Sequence, residues 1–156
     1  MKISRLGLDD ARSLVDLARA VHQLHVEHQP GRYRAIHDDA ELELWIKSHL
    51  EKEGAIGFSA KVDGEVIGYL IAILLETEAH PLFLNRRIVI LDEISVHPAY
   101  QRKGVADALL DTLKREGKRQ GASAIRSNYA SFNASSSALL RKHGMVPTTI
   151  TCEGPL

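Results

Sequence analysis

The spacing of apolar residues changes period twice along this chain. From Asp9 or Asp10, the positions Leu14, Leu17, Val21 and Leu24 recur at helical intervals, and the pattern runs to about His28. Gln29-Pro30-Gly31 then breaks it. A second helix is predicted from Asp38, which can cap it, with Glu41 three residues on as the reciprocal capping-box partner. Its inner stripe is Leu42, Trp45, Ile46 and His49 or Leu50, and Gly54 marks the exit. The period then shortens. Ile56–Val62 and Glu65–Leu75 are rich in β-formers and are joined by Asp63-Gly64, a favoured two-residue hairpin turn. After a polar loop around His80-Pro81, Arg87–Val96 reads as a further strand, ended by His97-Pro98. Helical spacing returns from about Arg102 to Arg119, with Val105, Ala106, Leu109, Leu110 and Leu113 inward and Gly121 as the stop. Ser123–Tyr129 is predicted as a strand. Asn133 caps a short helix closed by Gly144, and Val146–Cys152 makes a last strand. Residues 2–6 supply a short first strand.

The order is strand, two helices, three strands, helix, strand, helix, strand. An antiparallel run first and strand-helix-strand units later imply a mixed sheet flanked by helices, hence α/β, or α+β by stricter naming. With 156 residues, no repeats and no linker-like stretch, one domain over 1–156 is expected. Lys and Arg number 20, as do Asp and Glu, so the balanced charge gives no general reason to expect nucleic acid or an anionic membrane as partner. Met1–Leu6 lacks the apolar core of a secretory signal, and the longest apolar run, Val66–Leu75, is too short to span a bilayer as a helix. Cys152 is the single cysteine, so no internal disulfide forms. A reduced, cytoplasmic setting is expected. No Cys-His pattern surrounds Cys152, which reads as a packed residue of the last strand.

The informative stretch is Leu91-Asp92-Glu93-Ile94-Ser95-Val96-His97-Pro98-Ala99-Tyr100-Gln101-Arg102-Lys103-Gly104-Val105-Ala106. A strand stops, a tight basic loop follows, and a helix begins. Amides at a helix start are unpaired and point outward, and the helix dipole adds positive potential. Gly104 lets a diphosphate approach the backbone, Ala106 keeps bulk away, and Arg102 and Lys103 add charge. The physics describes a pyrophosphate cradle. An ordinary helix start with solvated basic residues has the same composition, so the turn alone is weak evidence. Neither Gly-x-Gly-x-x-Gly nor Gly-Lys-Ser/Thr is present, which argues against a dinucleotide-binding enzyme or a nucleoside triphosphatase.

Val96–Ala106 followed by Leu109-Leu110 resembles the acetyl-CoA-binding motif of the GCN5-related N-acetyltransferase (GNAT) family, whose core Gln/Arg-x-x-Gly-x-Gly/Ala is matched by Gln101, Gly104 and Ala106. Asn133 and Ala138–Met145 resemble the family's second conserved block. The resemblance implies a mostly antiparallel sheet whose central strands splay into a V. It implies that the pantetheine arm pairs with the strand backbone at Ile94, Ser95 and Val96, and that the pyrophosphate sits on the amides of Arg102, Lys103, Gly104, Val105 and Ala106. Asn133 would contact the cofactor. The implied reaction is transfer of an acetyl group from acetyl-CoA to a primary amine of a small molecule or peptide, by direct attack in a ternary complex. No nucleophile triad is recognisable, which agrees with direct attack. A backbone amide near Val96 would support the thioester carbonyl.

Asp92 and Glu93 are the candidate bases. Neighbouring strand residues face opposite sides, so only one of them can enter a given cleft, and relatives often carry a bulge in this strand. Many relatives place a tyrosine in the second block to protonate the leaving thiolate; the matching position here is Leu140. A thiol pKa near 8.5 lets the thiolate leave with modest help, and Tyr129, Ser135 or water are substitutes. The resemblance puts the acceptor pocket at the first two helices and their connection, which hold His22, His25, His28, Tyr33 and His37. His25 and Tyr33 are the candidates for lining it. Arg32 and Arg34 are candidates for receiving an anionic group on the acceptor. A metal-binding protein built on His22, His25 and His28 is one alternative; no Cys or carboxylate completes a familiar site, so no metal is assigned. A non-catalytic acyl-CoA-binding module is another, favoured by Leu140 and disfavoured by the Asp92-Glu93 pair. Homodimerisation, with strand completion by a partner, is expected by analogy with relatives.

Overall fold

The computed structural model describes residues 1–156. The strands are β1 (Lys2–Arg5), β2 (Ala55–Val62), β3 (Glu65–Glu76), β4 (Arg87–Val96) and β5 (Ala124–Ser127). The helices are α1 (Ala11–His28), α2 (Asp39–Leu50), α3 (Val105–Arg119) and α4 (Ala134–Lys142), with short 3-10 turns at Leu8–Asp10 and Pro98–Tyr100. The strands lie in the order β1-β2-β3-β4-β5, antiparallel except for the parallel pair β4-β5. This is the mixed, mostly antiparallel sheet that the periodicity and the family resemblance together describe.

The alternating strand residues feed two cores. On one face Ile56, Phe58, Leu70, Ala72, Leu74, Val89 and Leu91 meet Val105, Leu109, Leu110 and Leu113 of α3 and Leu140 of α4. On the other, Tyr69 and Ile71 pack under Leu14, Val15, Leu17 and Ala18 of α1 and Leu42 and Ile46 of α2. Both helical stripes repeat at three and four residues, the spacing that keeps one helix face on the sheet.

Five details differ from the sequence-based expectations. Val146–Cys152 forms no strand, makes no backbone hydrogen bond and is exposed throughout; Cys152 is therefore exposed rather than packed. Trp45 is half-turned from the core and rests on His49, leaving only Leu42 and Ile46 fully inside α2. Asp38 does cap α2 through the Ala40 amide at 2.9 Å, but Glu41 binds Arg34 instead of closing a capping box. Helix α3 starts at Val105, three residues later than its basic approach suggests, because Arg102 and Gly104 both take positive φ. β5 is shorter than Ser123–Tyr129.

The sheet is not closed between β4 and β5. β5 pairs with β4 only from Ile88 to Leu91, and β4 continues to Val96 without it. Beyond Leu91 the β5 side of β4 is therefore a free backbone edge. Leu109 is fully buried between α3 and the sheet. Leu109→Ala should cost about 3 kcal/mol in chemical denaturation, read as a lower midpoint at unchanged slope.

Candidate functional site

One irregularity in β4 orients the site. Glu93 stands opposite Ile71 and Leu91 opposite Ala72, so Asp92 is an extra residue without a partner on β3, a β-bulge. The bulge changes the phase of the pleat. Val89 and Leu91 point into the α3 core, whereas two residues further on Glu93 and Ser95 point at the α1 side. Ser95 Oγ donates to the Leu17 carbonyl at 3.1 Å and fixes the middle of α1 over the end of β4. Tyr69 Oη donates to Glu93 Oε2 at 2.6 Å. Asp92 is exposed. Of the two acids, Glu93 is thus the one held inside the fold.

Glu93 keeps a partial opening to solvent, yet its carboxyl group is densely surrounded by protein. Burial pushes its pKa up, the Tyr69 hydrogen bond pulls it down, and the nearby Asp92 charge pushes it up again. The outcome is about 7 against an ordinary 4.5. Tyr69 is itself fully buried, and burial followed by the Glu93 charge raises its phenol well above the usual value, so it stays a donor. Tyr69 escapes the sequence reading. Its signal is a lone tyrosine inside the apolar run Val66–Leu75, since a buried hydroxyl requires a partner.

Beyond Leu91 the outer edge of β4 has no strand partner. The His97 amide donates to Ile67 of β3 at 2.9 Å, so by period-two alternation the backbone groups of Ile94 and Val96 project to the opposite, open edge. Gln101 Nε2 donates to the Val96 carbonyl at 3.2 Å and folds the basic loop onto the strand end. The loop passes Arg102 at φ 58° and Gly104 at φ 81° before the first helical bond, Ala108 N–H to the Gly104 carbonyl. The amides of 105–107 lie ahead of that bond and have no intrahelical partner. A Cβ at Gly104 would meet open space, so the glycine is demanded by backbone conformation rather than by a close neighbour. Gly68 has the steric role: a Cβ there would lie 3.0 Å from the Ser95 carbonyl oxygen and 3.1 Å from Val105. Gln101, Arg102, Lys103 and Gly104 are all exposed. Asp107, the one acid in this first turn, is drawn to α4 by Lys142 at 2.8 Å and His143 at 3.0 Å, which holds its carboxyl below the usual range and leaves the positive helix end unopposed.

Asn133 is half-buried at the start of α4, where its Oδ1 accepts from the Ser136 amide at 3.0 Å. Leu140 is 6% exposed and belongs to the α3 core, so no acid group stands there. The hydroxyls of Tyr129 and Ser137 lie 3.3 Å apart, while Ser135 is exposed.

The histidines of α1 do not converge on a common point. The Nδ1 atoms of His25 and His28 donate to the Val21 and Leu24 carbonyls, and His22 Nε2 donates to the Arg34 carbonyl. No group of three His, Cys, Asp or Glu is placed to hold a metal ion. The rings build an aromatic bridge instead. His28 stacks on Phe132 at 4.2 Å, His25 meets Phe132 at 5.4 Å and Tyr33 at 5.1 Å. Phe132, in the β5-α4 loop, is thereby joined to α1 and, through His25, to Tyr33 of the α1-α2 connection. Arg34 pairs with Glu41, and Arg32 lies over the Tyr33 ring at 5.9 Å.

A raised carboxyl pKa costs stability in a defined pH window. The folded chain holds a proton on Glu93 up to about pH 7, the unfolded chain only to about 4.5. The penalty is therefore absent below pH 4.5, grows between the two values and is fully present above pH 7. Glu93→Gln should be more stable than the parent at pH 8 and lose most of that advantage at pH 4.5, measured by urea denaturation at both pH values.

With this geometry in hand, likeness to known proteins is informative. A sequence profile of the Acetyltransferase (GNAT) family matches residues 18–145. An uncharacterized N-acetyltransferase of Bacillus subtilis (strain 168), YhfO, is 27% identical over 115 residues, 72% of this chain and 72% of that protein. A mutant of the BH1408 protein from Bacillus halodurans superposes with a TM-score of 0.90 at 19% identity, covering 100% of this chain and 99% of the other. Aminoglycoside N-acetyltransferase AAC(6')-Iy in complex with CoA gives a TM-score of 0.70 at 20% identity, over 99% and 93% of the two chains. These solved structures share the fold, and the profile match spans the strand, the cradle and the second block alike. The chain belongs to the acetyltransferase (GNAT) family.

Proposed function

We propose that this acetyltransferase moves the acetyl group of acetyl-CoA to a primary amine of a small molecule or peptide in the cytoplasm, by direct attack within a ternary complex. The observation that carries the proposal is a buried carboxyl group with a pKa of about 7, on the same strand end as an unpaired backbone edge and a helix start rich in free amides. A base that is half-ionised near neutral pH combines the right protonation state with useful proton affinity.

The residues present suit the cofactor. The open edge at Ile94 and Val96, on either side of Ser95, offers the extended backbone that a pantetheine arm pairs with, and the positive-φ turn Gln101-Arg102-Lys103-Gly104 with Val105 and Ala106 offers amides and charge for a diphosphate. Asn133 keeps its Nδ2 for the cofactor while its Oδ1 caps α4. Bound acetyl-CoA supplies an activated thioester; the remaining chemistry falls to the chain. Glu93 takes a proton from the ammonium, directly or through water, with Tyr69 fixing its orientation. Asp92, turned outward by the bulge, helps through its charge. The Val96 amide stabilises the developing oxyanion. Leu140 cannot donate a proton, so departure of the thiolate rests on its own acidity and on the Tyr129-Ser137 hydroxyl pair or water. His25 and Tyr33, in the aromatic bridge, form the wall that the acceptor meets.

Calorimetric binding of acetyl-CoA followed by a thiol-release screen over amines tests the proposal. Binding with release on one amine class establishes it; binding without release on a broad panel favours a non-catalytic acyl-CoA-binding module. The pH dependence of kcat/KM should rise to a plateau through one ionisation near 7. Glu93→Gln should lower kcat by roughly 100- to 10,000-fold while leaving acetyl-CoA affinity unchanged.

Gly104→Glu separates cofactor binding from chemistry. It places negative charge at the helix start and a side chain at φ 81°, and should abolish acetyl-CoA binding in the calorimeter while far-UV circular dichroism stays that of the parent. Parent-like affinity in this variant would contradict the cradle.

A further inference from the structure

Helix α3 carries an acid in its first turn, Asp107, the third residue of the helix after the Gly104 cap. A carboxylate at that position ordinarily turns back on the first-turn amides or adds its charge beside them, and either would compete with a bound anion. Here it is turned to α4 instead. Asp107 Oδ1 lies 2.8 Å from Lys142 Nζ and 3.0 Å from His143 Nε2, at the C-terminal end of α4. His143 is held from several sides. Its Nδ1 is 3.5 Å from Asp111 Oδ1, one turn further along α3, and its carbonyl accepts from Lys114 Nζ at 2.8 Å. Its side chain is 8% exposed, whereas that of Lys142 is 67% exposed. Positive charge suits a helix C-terminus, so the end of α4 favours Lys142 and a protonated His143 alike.

We propose that Lys142 and His143 are positioning residues for the cofactor: by holding Asp107 against α4 they keep the first turn of α3 free for the diphosphate, and so set acyl-CoA affinity without touching the ligand. The inference rests on the acetyl-CoA reading of the cradle. A staple between α3 and α4 is the competing role, and it needs no acid at the helix start. Asp111 already reaches His143 from one turn on, and Lys114 bonds the carbonyl of the same residue. Both of those contacts leave the charge of the cradle as it is; only the contacts to Asp107 change it. Lys142, mostly in solvent, gains little stability from a surface ion pair, so its effect lies in where the neutralised charge stands. That charge is a full one at neutral pH, since Asp107 is held below the usual carboxylate range, first by its bond to Lys142.

Calorimetric binding of acetyl-CoA to the full chain at low ionic strength separates the two roles, and it measures affinity rather than activity. Lys142→Gln, a change at an exposed side chain, should weaken binding about threefold, and Lys142→Gln combined with His143→Gln roughly tenfold, the effect of one uncompensated charge near a diphosphate. Adding Asp107→Asn to that pair should bring the affinity back to within about twofold of the parent, although it restores no ion pair. Lys142→Arg keeps the charge and should bind as the parent does. A staple predicts no such recovery, because the third substitution removes a contact and returns none. A pair variant that binds like the parent, or a triple variant that binds no tighter than the pair, would overturn the proposal. A parent chain that binds no acetyl-CoA would overturn the cofactor reading itself, and this inference with it.

Discussion

The extra residue in β4 is the constraint from which the site follows. A strand pairing without interruption would continue the parity of Val89 and Leu91, and Glu93 would enter the α3 core among leucines. Inserting Asp92 between Leu91 and Glu93 reverses the pleat for the rest of the strand. That single shift turns Glu93 toward Tyr69, brings Ser95 to the Leu17 carbonyl, and turns Asp92 outward. It occurs where β5 stops pairing with β4, so the reorientation and the freeing of the β4 edge share one position. Two sheet faces are thereby built from one strand: a leucine-rich face that supports α3, and a polar end that holds the candidate base.

The electrostatics of the site depend on what the fold withholds as much as on what it provides. Glu93 receives one strong hydrogen bond and no cation; Glu116, paired with Arg5 and Arg119, is instead held at about 2 and stays ionised at neutral pH. A carboxylate without a cation, partly desolvated and beside another acid, is pushed the other way. At the helix start the opposite arrangement holds. Asp107 would cancel the positive end of α3, and Lys142 with His143 draw it aside. The chain spends stability on a free carboxyl and an uncompensated helix terminus, a common signature of working sites.

Much of this was legible in the sequence because it is local. The helical stripes, the Asp63-Gly64 hairpin and the basic strand-to-helix turn are set by neighbours within a few residues, and each is present, with α3 starting three residues late and Trp45 out of its stripe. The misread parts depend on distant contacts. Tyr69 and Glu93 are 24 residues apart and meet only through the β3-β4 register, which the bulge sets. Choosing between Asp92 and Glu93 therefore required the sheet. Trp45 fits the helical stripe, but α2 has room inside for two residues only. Val146–Cys152 has strand composition, and composition cannot say whether an edge stands next to it. The histidine spacing on α1 assigned no ligand role and could not show the partners that occupy the rings, Phe132 above all, which come from a loop more than a hundred residues later.

Leu140 links the fold to the chemistry in a way that neither shows alone. At 6% exposure it is held among Leu109, Leu110 and Leu113, so a hydroxyl there would have to leave the core or go unsatisfied. Losing the proton donor is tolerable only where the departing group is a weak base, and a thiolate is far weaker than an alkoxide or amide ion. The amine, by contrast, is protonated near neutral pH and cannot attack until it loses a proton. For the proposed direct attack the demand on the protein is therefore unequal, heavier on a base than on an acid. The chain's one internal carboxyl with a neutral-range pKa stands on the side of that demand, and the leucine on the other side returns its volume to the core that holds α3 and its cradle in place.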